Sequence, residues 1–430
     1  MKTKRWLTVI LAAALTVSLA ACGGKNDNAA GEEGNKGGKQ DITLRVMWWG
    51  SQTRHDATLK AIALYEEQNP NVKIVSEYSG WDGYWDKLAT LSAARNMPDI
   101  FQMDASYLGD YATRNQLLDW EGADLSKLDA KLLDTGAVEG KQVALPAGRN
   151  SYGIVYNKSL FTQYGIEEPK EDWKWDDFFK MARDARTKLP EGMYLSRDFS
   201  AGELEYRAYQ HAEGKGPFYI DNKLNMDKDT WLEWSTIWSD MRKDGIVAPA
   251  EQTISDVELD TQFDSLVKGK VLMKGTHSSQ IAAYDSLLPG KLGVAAFPSD
   301  TEAGGWLKPT FYWSIAAGTK QAEESKKFVL WLLNDPEAGK ILKTERGTPV
   351  SDEVMAAIEA DLTDADKLGQ QMLEKIAKNA QPFTAQPPGY NDFGRDMNNT
   401  IQSVIFNKTT PDKAYETIQK LAADTEASLK

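Results

Sequence analysis

Aromatic rings and carboxylates gather where apolar runs of this chain end. Trp48 and Trp49 precede Gly50, Trp81 follows a second run, and Asp104 and Tyr107 follow a third. Flat indole and phenol faces suit the apolar C–H faces of sugar rings, and Asp, Asn, Arg and His suit their belt of hydroxyls. Two polar turns add donors: Arg149 and Asn150 after Pro146-Ala147-Gly148, and His277 within Gly275-Thr276-His277-Ser278-Ser279. Each residue also has a plainer reading. Alternation along a strand sends Trp48 and Trp49 to opposite faces, so at least one belongs to the core. Trp231, Trp234 and Trp238 share one helical face beside Met241, which is a packing pattern. Trp173 and Trp175, in a charged helix entry, also read as packing residues, and Trp306 and Trp313 face either a cleft or the core.

Metal and thiol chemistry is poorly supplied. The three histidines, His55, His211 and His277, show no HExxH spacing, so no metal or other cofactor is expected. Cys22 is the single cysteine, which excludes an internal disulfide, a CxxC pair and a thiolate zinc site.

The elements that position these residues follow from hydrophobic periodicity. Ile42 to Trp49 is an apolar, β-prone run. Thr53 can cap a helix carrying Leu59, Ile62 and Ala63, which stops at Asn69-Pro70 because proline cannot continue it. Val72 to Tyr78 reads as a second strand, Trp81 to Arg95 as a helix, and Ile100 to Met103 as a third strand. Strand, helix, strand, helix, strand within about sixty residues implies right-handed crossovers and a parallel sheet, so the fold class is α/β. In open parallel sheets, ligands bind beyond the carboxyl ends of the strands, where Trp49, Trp81, Asp104 and Tyr107 lie. Further strands are expected at Gln142–Ala147, Tyr152–Tyr156, Val271–Lys274, Leu292–Phe297 and Thr310–Ala316. Helices are expected at Trp231–Lys243, at Ala322–Leu333 and over most of the last eighty residues, with a break at Pro387-Pro388.

The chain has 430 residues, 41% hydrophobic and 26% charged, which is ordinary globular composition and room for two or three domains. Fifty Lys plus Arg against 63 Asp plus Glu give a net charge of −13. With no basic run to offset that balance, nucleic acid is not an expected partner.

Lys2, Lys4 and Arg5 precede sixteen uncharged residues, Trp6 to Ala21, a secretory signal pattern too short to span a membrane. Leu19-Ala20-Ala21-Cys22 resembles the lipobox of bacterial lipoproteins, which implies cleavage after residue 21 and acylation of Cys22. Anchoring through several acyl chains is stable, at about 0.8 kcal/mol per buried CH₂. Residues 23–40 hold six glycines and no aliphatic side chain larger than alanine. They read as a flexible tether of about 21–25 Å root-mean-square span. Loss of residues 1–21 removes three positive charges and takes the net charge from −13 to −16.

From Asp41 onward the chain resembles the extracellular solute-binding lipoproteins of bacterial ABC importers, in the carbohydrate branch. The resemblance is carried by WWG at Trp48 to Gly50, YEEQNP at Tyr65 to Pro70 and MPDIFQMD at Met97 to Asp104. It continues in ALPAGRNSYGIVYNKSLF at Ala144 to Phe161, VKGKVLM at Val267 to Met273 and ERGTPVSD at Glu345 to Asp352. The stretch WWGSQTRHD, Trp48 to Asp56, looks most like members associated with pectin-derived oligosaccharides, notably rhamnogalacturonan fragments.

This resemblance implies a two-lobed periplasmic-binding-protein-like fold, with the ligand cleft between lobes joined by crossing hinge strands. Lobe 1 would comprise 41–148 plus 298–346, and lobe 2 149–297 plus 347–430. The crossings would fall near Ala147 to Ser151, Ala296 to Ser299 and Gly347 to Val350. It further implies contacts near Trp49, Asp104 and Asn150. Where relatives often carry a stacking tryptophan in the second lobe, this chain has His277, leaving that platform to Tyr390 or Phe393. Trp81, Tyr107, Arg149, His277, Trp313 and Tyr390 complete the expected sugar-binding set.

The expected function is capture of an oligosaccharide outside the cell, and delivery to a permease by a monomer anchored at Cys22. Two other classes compete: a surface-anchored glycan-cleaving enzyme, which would need paired carboxylates, and an adhesion or scaffolding domain, which would present a flat surface.

Overall fold

The computed structural model describes residues 41–428, except 221–222, 257–260, 301–304, 379, 381–382 and 384–388. The expected signal segment, Cys22, the tether and the Pro387-Pro388 break lie outside the described residues. No helix among the described residues is long and apolar enough to cross a membrane.

Ten strands build the two principal sheets. Along the chain they are β1 (Ile42–Trp49), β2 (Val72–Ser79), β3 (Ile100–Met103), β4 (Leu145–Pro146) and β5 (Arg149–Asn157). The remainder are β6 (Tyr194–Ser196), β7 (Val271–His277), β8 (Leu292–Ala295), β9 (Leu307–Pro309) and β10 (Tyr312–Ile315). The first sheet has the order β2-β1-β3-β10-β4. Its first three strands are parallel, in register from Ile42 opposite Val72 to Trp49 opposite Ser79, and β10 runs antiparallel to β3. β3 is buried throughout, as a strand in a helix-covered sheet must be. The second sheet has the order β8-β5-β7-β6, with β9 antiparallel to the start of β5.

The helices joining β1, β2 and β3 follow the expected pattern, with one local difference. Ser51, not Thr53, caps the Gln52–Gln68 helix, its side chain accepting from the Arg54 amide, while Thr53 Oγ1 lies 2.8 Å from Ser51 Oγ. The helix ends where Asn69 donates to the Tyr65 carbonyl ahead of Pro70. Trp231, Trp234 and Trp238 are wholly buried in the second lobe, among Trp175, Phe178 and Phe199.

The two lobes meet where the chain passes between sheets. The first passage is Ala147-Gly148, between β4 and β5. The second falls later than expected, at Thr310-Phe311. Residues 296–299 stay with the second sheet, because the Ala296 carbonyl accepts from Trp173 Nε1 and the Ser299 amide donates to the Trp173 carbonyl. The third also falls later. Ser351 bridges to Leu128, and the Asp352–Ile358 helix packs on the Pro336–Leu342 helix, which packs on Gln52–Gln68. Beyond Thr348, which pairs with Arg149 at the start of β5, the chain next packs on the second sheet with Asp364–Ala377.

The segments are laced together at the hinge. Arg149 and Thr348 exchange backbone bonds of 2.6 and 3.2 Å, and the Thr310 amide donates to the Gly148 carbonyl at 2.9 Å. Glycine is required at two points here. A Cβ on Gly148 would lie 2.1 Å from the Arg346 carbonyl oxygen, and Gly347 combines a φ of +89° with a Cβ position 2.1 Å from Thr310 Oγ1.

Candidate functional site

A cavity of about 190 Å³ opens between the lobes. Asp104, Ala105 and Ser106 line it from the carboxyl end of β3. Asp104 caps the Ala105–Thr113 helix, its Oδ1 accepting from the Ser106 amide at 2.9 Å and from Ser106 Oγ at 2.6 Å. Facing it are Arg207, His277, Trp306 and Lys308, while Tyr390 and Asn391 begin the Tyr390–Ile405 helix. That helix ties the lobes together. Asn391 Nδ2 donates to the Ser106 carbonyl at 3.1 Å, and the Gly389 amide donates to Asp110 Oδ1 at 3.2 Å.

Beside Asp104 the first lobe carries an aromatic platform. Tyr107 lies on Trp85 with centroids 3.6 Å apart and planes 12° from parallel. Trp81 meets Trp49 and Trp85 edge-on, at 5.1 and 5.4 Å. Trp81 is 37% exposed and presents indole to solvent, whereas Trp49 is 8% exposed and packed against Tyr84 and Phe311. Burial raises the Tyr107 hydroxyl above the usual phenol range, helped by Asp104, Asp392, Asp86 and Asp110, so it remains a hydrogen-bond donor.

The second lobe supplies another platform. Trp306 stacks on Tyr152 at 5.4 Å and 13°, and Tyr152 stacks on Phe297 at 5.4 Å and 20°. The Tyr152 hydroxyl donates to Glu205 Oε1 at 2.7 Å, and Arg197 pairs with the same carboxylate, so the stack is held from behind. His277 meets Tyr152 edge-on at 5.0 Å. Arg207 spreads its guanidinium 5.0 Å from the Trp306 ring centroid and 5.5 Å from that of Tyr219. Its Nη1 donates to Glu203 Oε1 at 3.1 Å, and the Tyr390 hydroxyl donates to the other Glu203 oxygen at 2.5 Å.

Of the residues expected to bind, Asp104, His277 and Tyr390 line this cavity, while Tyr107 and Trp81 belong to the aromatic cluster around Trp85. Three others are taken up elsewhere. Trp313 is fully buried beneath Arg346, whose guanidinium sits 4.8 Å from its ring centroid. Asn150 is buried, and its Oδ1 accepts from the Ser151 amide, Ser278 Oγ and the Ser279 amide at 2.8–3.1 Å. Arg149 pairs with Asp352 at the hinge. Trp49 supports the platform, and Phe393 is buried behind Tyr390. Arg207 and Lys308 were absent from the expected set. Glu203 and Arg207, four apart on one helix, pair with each other and are both buried.

Two α/β lobes, three passages between them and a polar, aromatic cavity at their junction define a two-lobed binding protein. Residues 49–339 match the sequence profile of the bacterial extracellular solute-binding protein family, and the chain belongs to that family. It is 26% identical over 376 residues to the diacetylchitobiose binding protein of Streptomyces coelicolor, covering 80% of this chain and 82% of that one. A family 1 extracellular solute-binding protein from Alicyclobacillus acidocaldarius is 29% identical, with a TM-score of 0.71 over 90% of this chain and 99% of the other. A periplasmic oligogalacturonide binding protein from Yersinia enterocolitica, solved with saturated digalacturonic acid, shares the fold at 23% identity. Its TM-score is 0.76 over 90% of this chain and all of that one.

Proposed function

We propose that this protein captures an oligosaccharide outside the cytoplasm and delivers it unchanged to the permease of an ABC importer. It would be held to the membrane by acyl chains on Cys22. The observation that carries this reading is the junction cavity, with Trp306 in its wall and hydrogen-bonding groups from both lobes. A sugar ring offers matching chemistry, and a ligand that touches both lobes favours the closed arrangement by its differential contacts. The relatives described above, named for binding diacetylchitobiose and oligogalacturonide, support a saccharide.

Glycan cleavage is the less favoured reading. It needs one carboxylic acid free to protonate a leaving oxygen and a second carboxylate free to attack or activate water. Here both Glu203 oxygens accept hydrogen bonds, and Oδ1 of Asp104 caps a helix. Residues 41–430 form one compact unit, so the body without its leader suits a thermal-shift screen. The melting temperature should rise with one class of oligosaccharide. No shift with any glycan, or new reducing ends after incubation, would count against the proposal.

A further inference from the structure

Arg207 is 9% exposed, and that exposure opens into the junction cavity. Among the described residues its only hydrogen bond is the one from Nη1 to Glu203, so part of its fork of N–H donors is left over. Trp306 and Tyr219 hold the guanidinium plane in place, and Glu203 fixes one corner. A planar fork held in this way is organised for a planar acceptor that takes two bonds, which is the geometry of a carboxylate.

Two other features of the wall point the same way. Lys308 lines the cavity half-buried and has no ion pair or hydrogen bond among the described residues. The Tyr390–Ile405 helix turns its N-terminal end to the cavity and starts at Gly389 without a side-chain cap. Helix N-termini carry partial positive charge and free amides. Against these stand two carboxylates. Glu203 lies behind Arg207 with both oxygens engaged, and Asp104 caps its own helix through Oδ1. His277 completes the wall. The volume corresponds to about a dozen water-sized spheres, room for one sugar ring with its substituents.

We infer that this cavity is a subsite for an acidic sugar residue, a uronate whose carboxylate is gripped by Arg207 and Lys308. The net charge of −13 gives such a ligand no long-range attraction, so selectivity rests on these local contacts. The inference refines the oligosaccharide reading above and depends on it.

Calorimetry of residues 41–430 tests it with digalacturonate and trigalacturonate, each beside its methyl ester, and with neutral galacto-oligosaccharides. The acid should bind at least tenfold tighter than the ester, and added salt should narrow the gap. Lys308→Gln, at a half-buried position, should lower the acid-to-ester ratio severalfold. Arg207→Lys, which keeps the charge and removes the fork, should lower it further. Equal affinity for acid and ester, or tight binding of neutral sugars alone, overturns the acidic subsite and leaves the oligosaccharide reading standing. No binding of any of these or of a wider glycan panel overturns both. A ratio unchanged in both variants overturns the roles given to Arg207 and Lys308.

Discussion

Tyr107 lies flat on Trp85, 3.6 Å between centroids, and this pair fixes the floor on which Trp81 stands edge-on. The platform therefore divides into rings that support and rings that present. Trp49 supports, being 8% exposed and surrounded by four aromatic neighbours, whereas Trp81 presents. Trp81→Ala should weaken saccharide binding by about fivefold, the worth of one aromatic contact of about 1 kcal/mol, with little change in melting temperature. Trp49→Ala should cost about 3–5 kcal/mol of stability. Calorimetry and thermal melting on both variants separate the roles; equal stability losses would erase the distinction.

Asn150 gives a different kind of contrast. Its Oδ1 accepts three bonds that hold the Ser278 turn against β5. Asn150→Ala leaves those donors buried and unpaired, so urea denaturation should show a loss of about 1–3 kcal/mol. A variant of full stability that has lost only affinity would show Asn150 to be a ligand contact after all.

At the hinge, Gly347 has a φ of +89° and no room for a Cβ beside Thr310 Oγ1. Gly347→Ala should destabilise the chain by about 1–2 kcal/mol from backbone conformation alone, with the clash in addition. The midpoint of denaturation should fall. An unchanged midpoint would show that the passages tolerate separation.

Lobe closure is open to a similar test at Asn391, whose Nδ2 donates across the junction to the Ser106 carbonyl. Asn391→Ala should weaken ligand binding severalfold and enlarge the unliganded radius of gyration in solution scattering. Identical scattering and affinity would show that this bond does not bias closure.

Stability should also depend on pH through His55. Burial, and then the positive charge of Arg54, hold its pKa below the ordinary value of 6.5. Its Nδ1 accepts from Trp48 Nε1 at 3.1 Å, which requires the neutral ring. A depressed pKa means that the folded state binds the proton less readily than the unfolded state. The stabilisation is therefore present above pH 6.5 and is lost as pH falls through the folded value. The urea midpoint should drop between pH 7.5 and 5.5 by more in the wild type than in His55→Gln. Equal drops would remove His55 from the account.

The first hundred residues of the body were legible because local rules agree there. Apolar runs end at glycine or polar turns, Pro70 stops a helix, and the strand-end residues Trp81, Asp104 and Tyr107 fall where parallel topology sends them. The later hinge passages were less so. Residues 296–299 and 352–358 are held by Trp173 and by the surface of Gly339, distant partners that no local pattern shows. Trp313 and Asn150 were read as contacts because their types suit sugars, but burial decided their roles. Arg207 was missed for the opposite reason: a charged helix face reads as solvated, and only tertiary packing turns it inward.

Calorimetric titration of residues 41–430 with an oligosaccharide panel, followed by chromatography of the recovered sugar, tests the central claim most directly. The account predicts one site of about micromolar affinity for at least one glycan, about −8 kcal/mol, and recovery of that glycan intact. No heat with any glycan, or a sugar recovered in shorter pieces, would contradict it.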